Sequence, residues 1–245
     1  MKIRVLGSAS GMPTPGKSNA LIWINFQDKN LILDCGEGAS LKLLQHNMDD
    51  DYLDAVIITH NHADHLSGLI MVIQMLHIQK RKKQLLVFLP EGEIFFLEML
   101  SFFYLFPAKL SYPLIIRNIC DIKNYYPEIS LLENNHLAGY CDLIREAATG
   151  NKMKAYSILL NVQGVSALYS SDLNELISLE PYLDDLDLLI LDGLHPSAAE
   201  IISLPQRTRA AIILNHGLST ELKKRLMERE DHPFILADET QEIEL

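Results

Sequence analysis

Apolar and polar positions alternate from Lys2 to Leu6, then give way to the small residues Gly7-Ser8-Ala9-Ser10-Gly11 and to Met12-Pro13-Thr14-Pro15-Gly16. A strand opening into a loop has this pattern, the loop being either a simple turn or a place where backbone approaches a ligand. Ala20 to Phe26 and Asn30 to Leu33 predict a hairpin around Gln27-Asp28-Lys29, followed by Asp34-Cys35-Gly36-Glu37-Gly38 and a helix from Ala39 to His46. Leu53 to Ile58 is continuously apolar and predicts a short buried strand. Beyond it the period turns helical at Leu66, Leu69, Ile70, Ile73 and Leu76, predicting a helix from Asp64 to Gln79 that ends in Lys80-Arg81-Lys82-Lys83.

Strand Leu85 to Leu89, an apolar helix from Gly92 to Tyr104 and strands at Pro113 to Ile116 and Ile129 to Leu132 come next. The stretch from Leu137 to Lys154 is polar without a period and predicts an irregular rim. Ala155 to Val162 and Val165 to Tyr169 form a second hairpin around Gln163-Gly164. Leu186 to Leu191 and Ala210 to Leu214 read as buried strands, with a helix from Thr220 to Glu230 and edge strands at Phe234 to Ala237 and Glu242 to Leu245. Periodicity alone gives an α/β protein, with a β…β-α-β succession in each half. At 245 residues one large domain or two small ones are open, and a single domain over 1–245 is the expectation.

Composition narrows this little: 48% hydrophobic and 22% charged residues are ordinary for a soluble globular chain. The greasy stretch from Ile94 to Phe106 is too short to cross a bilayer and is interrupted by Glu98 and Ser101, so no membrane span is expected. The start lacks the pattern of a signal peptide, and the three cysteines, Cys35, Cys120 and Cys141, are odd in number without a Cys-x-x-Cys pair. Both features point to reduced thiols in the cytoplasm. A formal charge of −11 disfavours nonspecific attraction to nucleic acid or anionic membrane. The basic run Lys80 to Lys83 either complements a helix dipole or meets phosphate.

Candidate chemistry concentrates in Thr59-His60-Asn61-His62-Ala63-Asp64-His65, where three imidazoles and a carboxylate fall within six residues after an apolar strand. On extended backbone His60 and His62 point the same way and can share one ion. Asp64 and His65, at the bend into the helix, project differently and suit a second ion.

This order, His-x-His-x-Asp-His followed by Leu66-Ser67-Gly68-Leu69, resembles the signature of metallo-β-lactamase-fold hydrolases. Leu6-Gly7-Ser8 with the later Asp34-Cys35-Gly36-Glu37-Gly38 resembles the opening of the ribonuclease Z-like branch. The resemblance implies a four-layer αββα sandwich and two divalent metal ions, zinc first, with manganese or iron as alternatives. It places His60, His62 and His136 on one ion and Asp64, His65 and His216 on the other, with Asp172 of Ser170-Ser171-Asp172-Leu173 bridging. The branch more often carries Ser-Gly-Asp-Thr there, but a bridging ligand needs only the carboxylate. Asp34 either supports the ligands or caps the turn.

Asp192-Gly193-Leu194-His195 resembles the small-molecule phosphodiesterases of the branch more than its tRNA-processing enzymes, which carry His-Glu-Ala-Thr. His195 is thereby the candidate proton donor or phosphate contact, and Asp64 the group that orients the attacking oxygen. A cysteine ligand late in the chain, Pro-Gly-His-Thr at the third motif, or Glu at position 62 would have indicated other branches, and none is present. The expected activity is hydrolysis of a small or cyclic phosphodiester or nucleotide. The alternatives are tRNA 3′ processing, thioester or lactone hydrolysis, and a non-catalytic metal-binding scaffold. A homodimer is compatible with the resemblance. His46, His77 and His232 fit no motif.

Overall fold

Both sheets of the computed structural model, which describes residues 1–12, 14–48, 51–228 and 231–245, combine antiparallel and parallel pairing. The chain divides into two compact units, Met1–Ile122 with Glu239–Glu244, and Lys123–Asp238 with Leu245.

The first unit begins with β1 (Lys2–Gly7), β2 (Leu21–Phe26) and β3 (Lys29–Leu33), an antiparallel run. Its hairpin turns on two residues rather than three: Gln27 and Asp28 both have positive φ, 48° and 62°, as the right-handed twist of a tight hairpin requires. Then come α1 (Ala39–Gln45), β4 (Ala55–Ile57), α2 (Ala63–Leu66), α3 (Gly68–Ile78), β5 (Leu85–Leu89), α4 (Glu93–Phe102) and β6 (Leu114–Asn118), with β3 to β6 parallel. The strand Glu242–Glu244 pairs antiparallel with β1 at the sheet edge.

Ile32, Val56 and Val87 on one face of this sheet share a core with Leu43 of α1, Val72 and Leu76 of α3 and Leu100 of α4. Leu31, Leu33, Ile57 and Phe88, which point the other way, are buried as well. A strand buried on both faces shows no alternation, which is why Leu53 to Ile58 reads as a solid apolar run. The single helix predicted from Asp64 to Gln79 is two, α2 and α3. Gly68 comes so close to Gly36 that a Cβ on it would lie 1.9 Å from the Gly36 carbonyl oxygen.

The basic run after α3 belongs to the scaffold. Arg81 is fully buried and its guanidinium donates to the carbonyls of Leu53, Lys83 and Gln84. Lys83 pairs with Asp54 at 2.8 Å, and the amides of Lys82 and Lys83 donate to Asp51. Arg81 and Lys83 thus close the turn into β5 instead of offering charge to phosphate.

The second unit holds β7 (Ile129–Glu133), α5 (Cys141–Ala147), β8 (Tyr156–Val162), β9 (Val165–Tyr169), β10 (Leu188–Asp192), α6 (Ala198–Ser203), β11 (Ala211–Asn215), α7 (Thr220–Met227) and β12 (Phe234–Leu236). β7 to β9 are antiparallel and β9 to β12 parallel. Leu168, Leu189, Leu191, Ile212 and Leu214 pack with Ile201 of α6 and Leu222 and Leu226 of α7.

Two helices depart from the sequence pattern. α5 lies in the stretch expected to be irregular, and it buries none of its residues, so no apolar stripe announces it. α6 is six residues long, too short for periodicity to register, although its capping box is legible in Ser197 and Glu200. Arg229 and Glu230, where the last predicted helix ends, and Pro13 of the small-residue loop lie outside the described residues.

Candidate metal centre

In the first unit the candidate ligands follow the carboxyl end of β4, where open α/β sheets gather their functional groups. β4 stops at Ile57, so His60 and His62 sit on the connecting loop and not on extended strand as their spacing suggested. The loop still brings them together, with His60 Nε2 3.1 Å from His62 Nδ1 and ring centroids 4.8 Å apart. Asp64 and His65 occupy the first turns of α2, with His65 Nε2 3.7 Å from Asp64 Oδ2. The His60 and His65 rings lie 4.1 Å apart.

Asp34, buried at the end of β3 with φ 58°, organises this group. Its carboxylate accepts from the amide and hydroxyl of Thr59, at 2.8 and 2.9 Å, and from His65 Nδ1 at 2.8 Å. A proton held on Nδ1 leaves the lone pair on Nε2 of His65 available to a metal ion, the arrangement by which a carboxylate orients an imidazole for ligation. His60 Nδ1 reaches the same network through the Thr59 hydroxyl at 3.1 Å. The supporting role of Asp34 is therefore the one the structure uses.

Two glycines make the arrangement possible. A Cβ on Gly36 would lie 2.1 Å from the Asp64 carbonyl oxygen, and Gly68 is equally constrained, so the two backbones meet through Cys35 N to His65 O and Gly68 N to Cys35 O. Cys35 between them is buried. Burial, then the neighbouring Asp34 carboxylate, pushes its thiol well above the ordinary range, so it is unreactive. Alkylation of the native protein should label the exposed Cys120 and Cys141 but spare Cys35, giving two adducts by intact mass and three in denaturant.

Sequence patterning did not single out Glu239. Its carboxylate accepts from the amide and hydroxyl of Ser8 and from the amide of Ser18, and it pairs with Lys42 at 2.6 Å. It thereby ties down the small-residue loop whose Gly11 lies against Asp64. No local pattern marks a glutamate more than two hundred positions from its partner.

The second unit presents its candidates at the carboxyl ends of β7, β9, β10 and β11. His136 Nε2, His216 Nε2 and His195 Nδ1 lie 3.5, 3.2 and 3.9 Å from Asp172 Oδ2. Asp172 is placed by its backbone: Asn134 Nδ2 donates to its carbonyl at 3.1 Å, and the Ser157 hydroxyl donates to Ser170 O at 2.6 Å. Ser171 and His216 both take positive φ, 52° and 61°, a conformation non-glycine residues hold only where surroundings impose it.

Asp192 forms a further constellation with His195. It accepts from the amides of Leu173, Leu194 and His195, and its Oδ2 lies 2.7 Å from His195 Nδ1. Asp172, Asp192, His136 and His216 are buried, whereas His195 is the open member of the group. His46 and His77 lie elsewhere, against Arg4 and the Ser111 amide.

Imidazole and carboxylate donors in this density fit borderline divalent metals. In the first unit the ligand atoms of His60 and His62, and of Asp64 and His65, lie within 4.8 Å of each other. In the second the same holds for His136 with Asp172, Asp172 with His216, and Asp172, Asp192 and His195 together.

The two mixed sheets are those of the metallo-β-lactamase fold. Within it, the chain belongs to the family of anti-Pycsar protein Apyc1, whose profile matches residues 1–240. It is similar to ribonuclease Z from Archaeoglobus fulgidus, 28% identical over 120 residues that cover 49% of this chain and 38% of that one. The chain spans about half or less of the first curated relatives it matches. Its fold is that of human tRNase Z, short form, at a TM-score of 0.75 and 15% identity over 100% of this chain and 99% of that one. A diphosphatase from the PhnP family gives 0.67 and 16%, covering 100% and 97%. No helix among the described residues is long and apolar enough to cross a membrane.

Proposed function

We propose that the chain is a dinuclear metal-dependent hydrolase, a phosphodiesterase that cleaves a small or cyclic phosphodiester or a nucleotide. His60, His62 and His136 serve one ion and Asp64, His65 and His216 the other, with Asp172 shared, an assignment supported by donor type and motif order. Zinc suits these donors best, with manganese or iron as alternatives. When bound, two such ions supply a hydroxide nucleophile near neutral pH and a Lewis acid for the phosphoryl oxygens.

The observation that carries the reading is the Asp192–His195 pair. With Nδ1 held 2.7 Å from Asp192, the imidazole keeps one orientation, and Nε2 is the atom that passes a proton to a leaving alkoxide. The openness of His195 beside its buried neighbours suits a group that must meet substrate. Asp64, beside His65, orients the attacking oxygen. An odd number of cysteines without a Cys-x-x-Cys pair supports a cytoplasmic site of action.

A fold shared by a tRNase and a diphosphatase leaves the substrate to be argued from residues. The chain carries a net charge of −11, and its densest basic run spends Arg81 and Lys83 on the scaffold, so a polyanion gains little from counterion release here. A small phosphodiester needs no such footprint. Competition between a model phosphodiester and a precursor tRNA at near-physiological salt should give the higher kcat/KM to the phosphodiester. Site-specific release of the 3′ trailer, lost when Lys80 and Lys82 are neutralised, would overturn the substrate assignment in favour of tRNA processing.

A further inference from the structure

In the second unit β7 and β9 lie on opposite sides of β8, each paired antiparallel with it. The loops that leave their carboxyl ends therefore gain no alignment from pairing of the two strands. Those loops nevertheless carry His136 and Asp172, whose Nε2 and Oδ2 lie 3.5 Å apart. Ser171, buried beside Asp172, also holds a φ of 52°, which a non-glycine residue keeps only where its surroundings over-determine it. A link other than the strand ladder must fix one loop to the other.

Two asparagines supply it, one from each loop. The NH2 of Asn174 donates to the carbonyls of Asn135 and His136 at 3.0 and 3.4 Å, crossing from the Asp172 loop to the His136 loop. Asn134 reaches the other way: its NH2 donates to the Asp172 carbonyl at 3.1 Å and to the Ser157 hydroxyl at 3.3 Å, while its oxygen accepts from the His136 amide at 3.0 Å. Chemistry fixes both side-chain orientations, since only the NH2 end can face a carbonyl and only the oxygen can face an N–H. Ser157, in the first turn of β8, completes the crossing by donating to Ser170 O at 2.6 Å. His136 is thus held at its amide and its carbonyl, and Asp172 at its carbonyl, by side chains of these two loops.

We propose that Asn174 is a positioning residue for His136 and Asp172. With Asn134 it forms a reciprocal clasp that makes the two loops move as one piece and presents their donor atoms at a set separation. Asn174 is exposed and bonds backbone carbonyls, so it acts through His136 and not on a ligand directly. Donors aligned before an ion arrives lose less freedom when it binds. Groups that orient ligands from outside the ligand set are worth about 10- to 100-fold in metal affinity. The consequence for metal rests on the metal-dependent reading proposed above, whereas the clasp itself rests on the geometry of the two loops.

Hydrogen exchange of the metal-free full chain, followed by zinc titration, tests the proposal. In the wild type the amides of segments 134–138 and 170–173 should be protected, and Asn174→Ala should quicken both, although the substitution lies in only one loop. Zinc affinity, measured by competition with a chelator, should fall about 10- to 100-fold in Asn174→Ala. It should recover in part in Asn174→Gln, which keeps the donor, and stay low in Asn174→Asp, which loses it. The visible spectrum of the cobalt-substituted protein should shift in the same order, because it reports ligand geometry. Asn161→Ala, exposed near the far end of β8, should change none of these. Exchange that quickens in 170–173 alone would overturn the clasp, as would wild-type zinc affinity in Asn174→Ala. A wild type that takes up no zinc, manganese or iron would remove the metal-dependent reading, and the coupled or uncoupled exchange of the two loops would then uphold or sink the clasp by itself.

Discussion

Asp172→Ala is expected to lower phosphodiester hydrolysis by at least about a thousandfold and to reduce the metal bound at saturation, while the far-ultraviolet spectrum stays that of the wild type. The size follows from what bound ions contribute, since lowering the pKa of water to roughly 7 is what makes a nucleophile available at neutral pH. The carboxylate is the common neighbour of His136, His195 and His216, all within 3.9 Å of its Oδ2. Without it, the imidazoles keep their places but lose the anion that gathers them. The fold should survive because β9 and its loop are held by backbone, through Ser170 N to Ile190 O and Asn134 Nδ2 to Asp172 O, neither of which uses the side chain. Colorimetric metal titration and steady-state kinetics on the same preparation check both halves. Full activity with an unaltered metal content would remove Asp172 from the centre.

His195→Ala should slow substrates with poor leaving groups by about 10²- to 10⁴-fold, the usual contribution of a positioned acid, and nitrophenyl esters far less. An alkoxide leaves only with a proton, whereas nitrophenolate leaves without one. Asp192→Asn should reproduce the same leaving-group dependence at smaller amplitude. The amide keeps the shape of the carboxylate, but its NH2 can donate where His195 Nδ1–H now finds an acceptor, which favours the wrong tautomer. A plot of rate against leaving-group pKa for the three proteins separates the roles. Parallel losses on activated and unactivated substrates would make His195 a binding residue and Asp192 its support.

The strands and the clustering of His60, His62, Asp64 and His65 were legible because each rests on a local signal. Parallel strands buried on both faces read as solid apolar runs, and three histidines with an aspartate in six residues have little use in a core. The order of elements in each half was legible for the same reason, with hairpins marked by Gln27-Asp28 and Gln163-Gly164. What stayed hidden depends on distance or exposure. α5 buries no side chain, so packing left no imprint on its sequence. Glu239 acts on Ser8 and Lys42 across nearly the whole chain, and Asp192 acquires its meaning only when its carboxylate is seen on His195. Arg81 was readable as charge but not as a buried hydrogen-bond donor to three carbonyls, because that requires knowing where β4 and β5 begin.

The central claim is that this chain works through two metal ions, and elemental analysis of the saturated protein, combined with hydrolysis of a model phosphodiester before and after chelation, tests it most directly. Two transition-metal ions per chain, with hydrolysis lost on chelation and restored on adding zinc or manganese, is the expected result. No more than one ion at saturation, or hydrolysis that survives complete removal of metal, would contradict it.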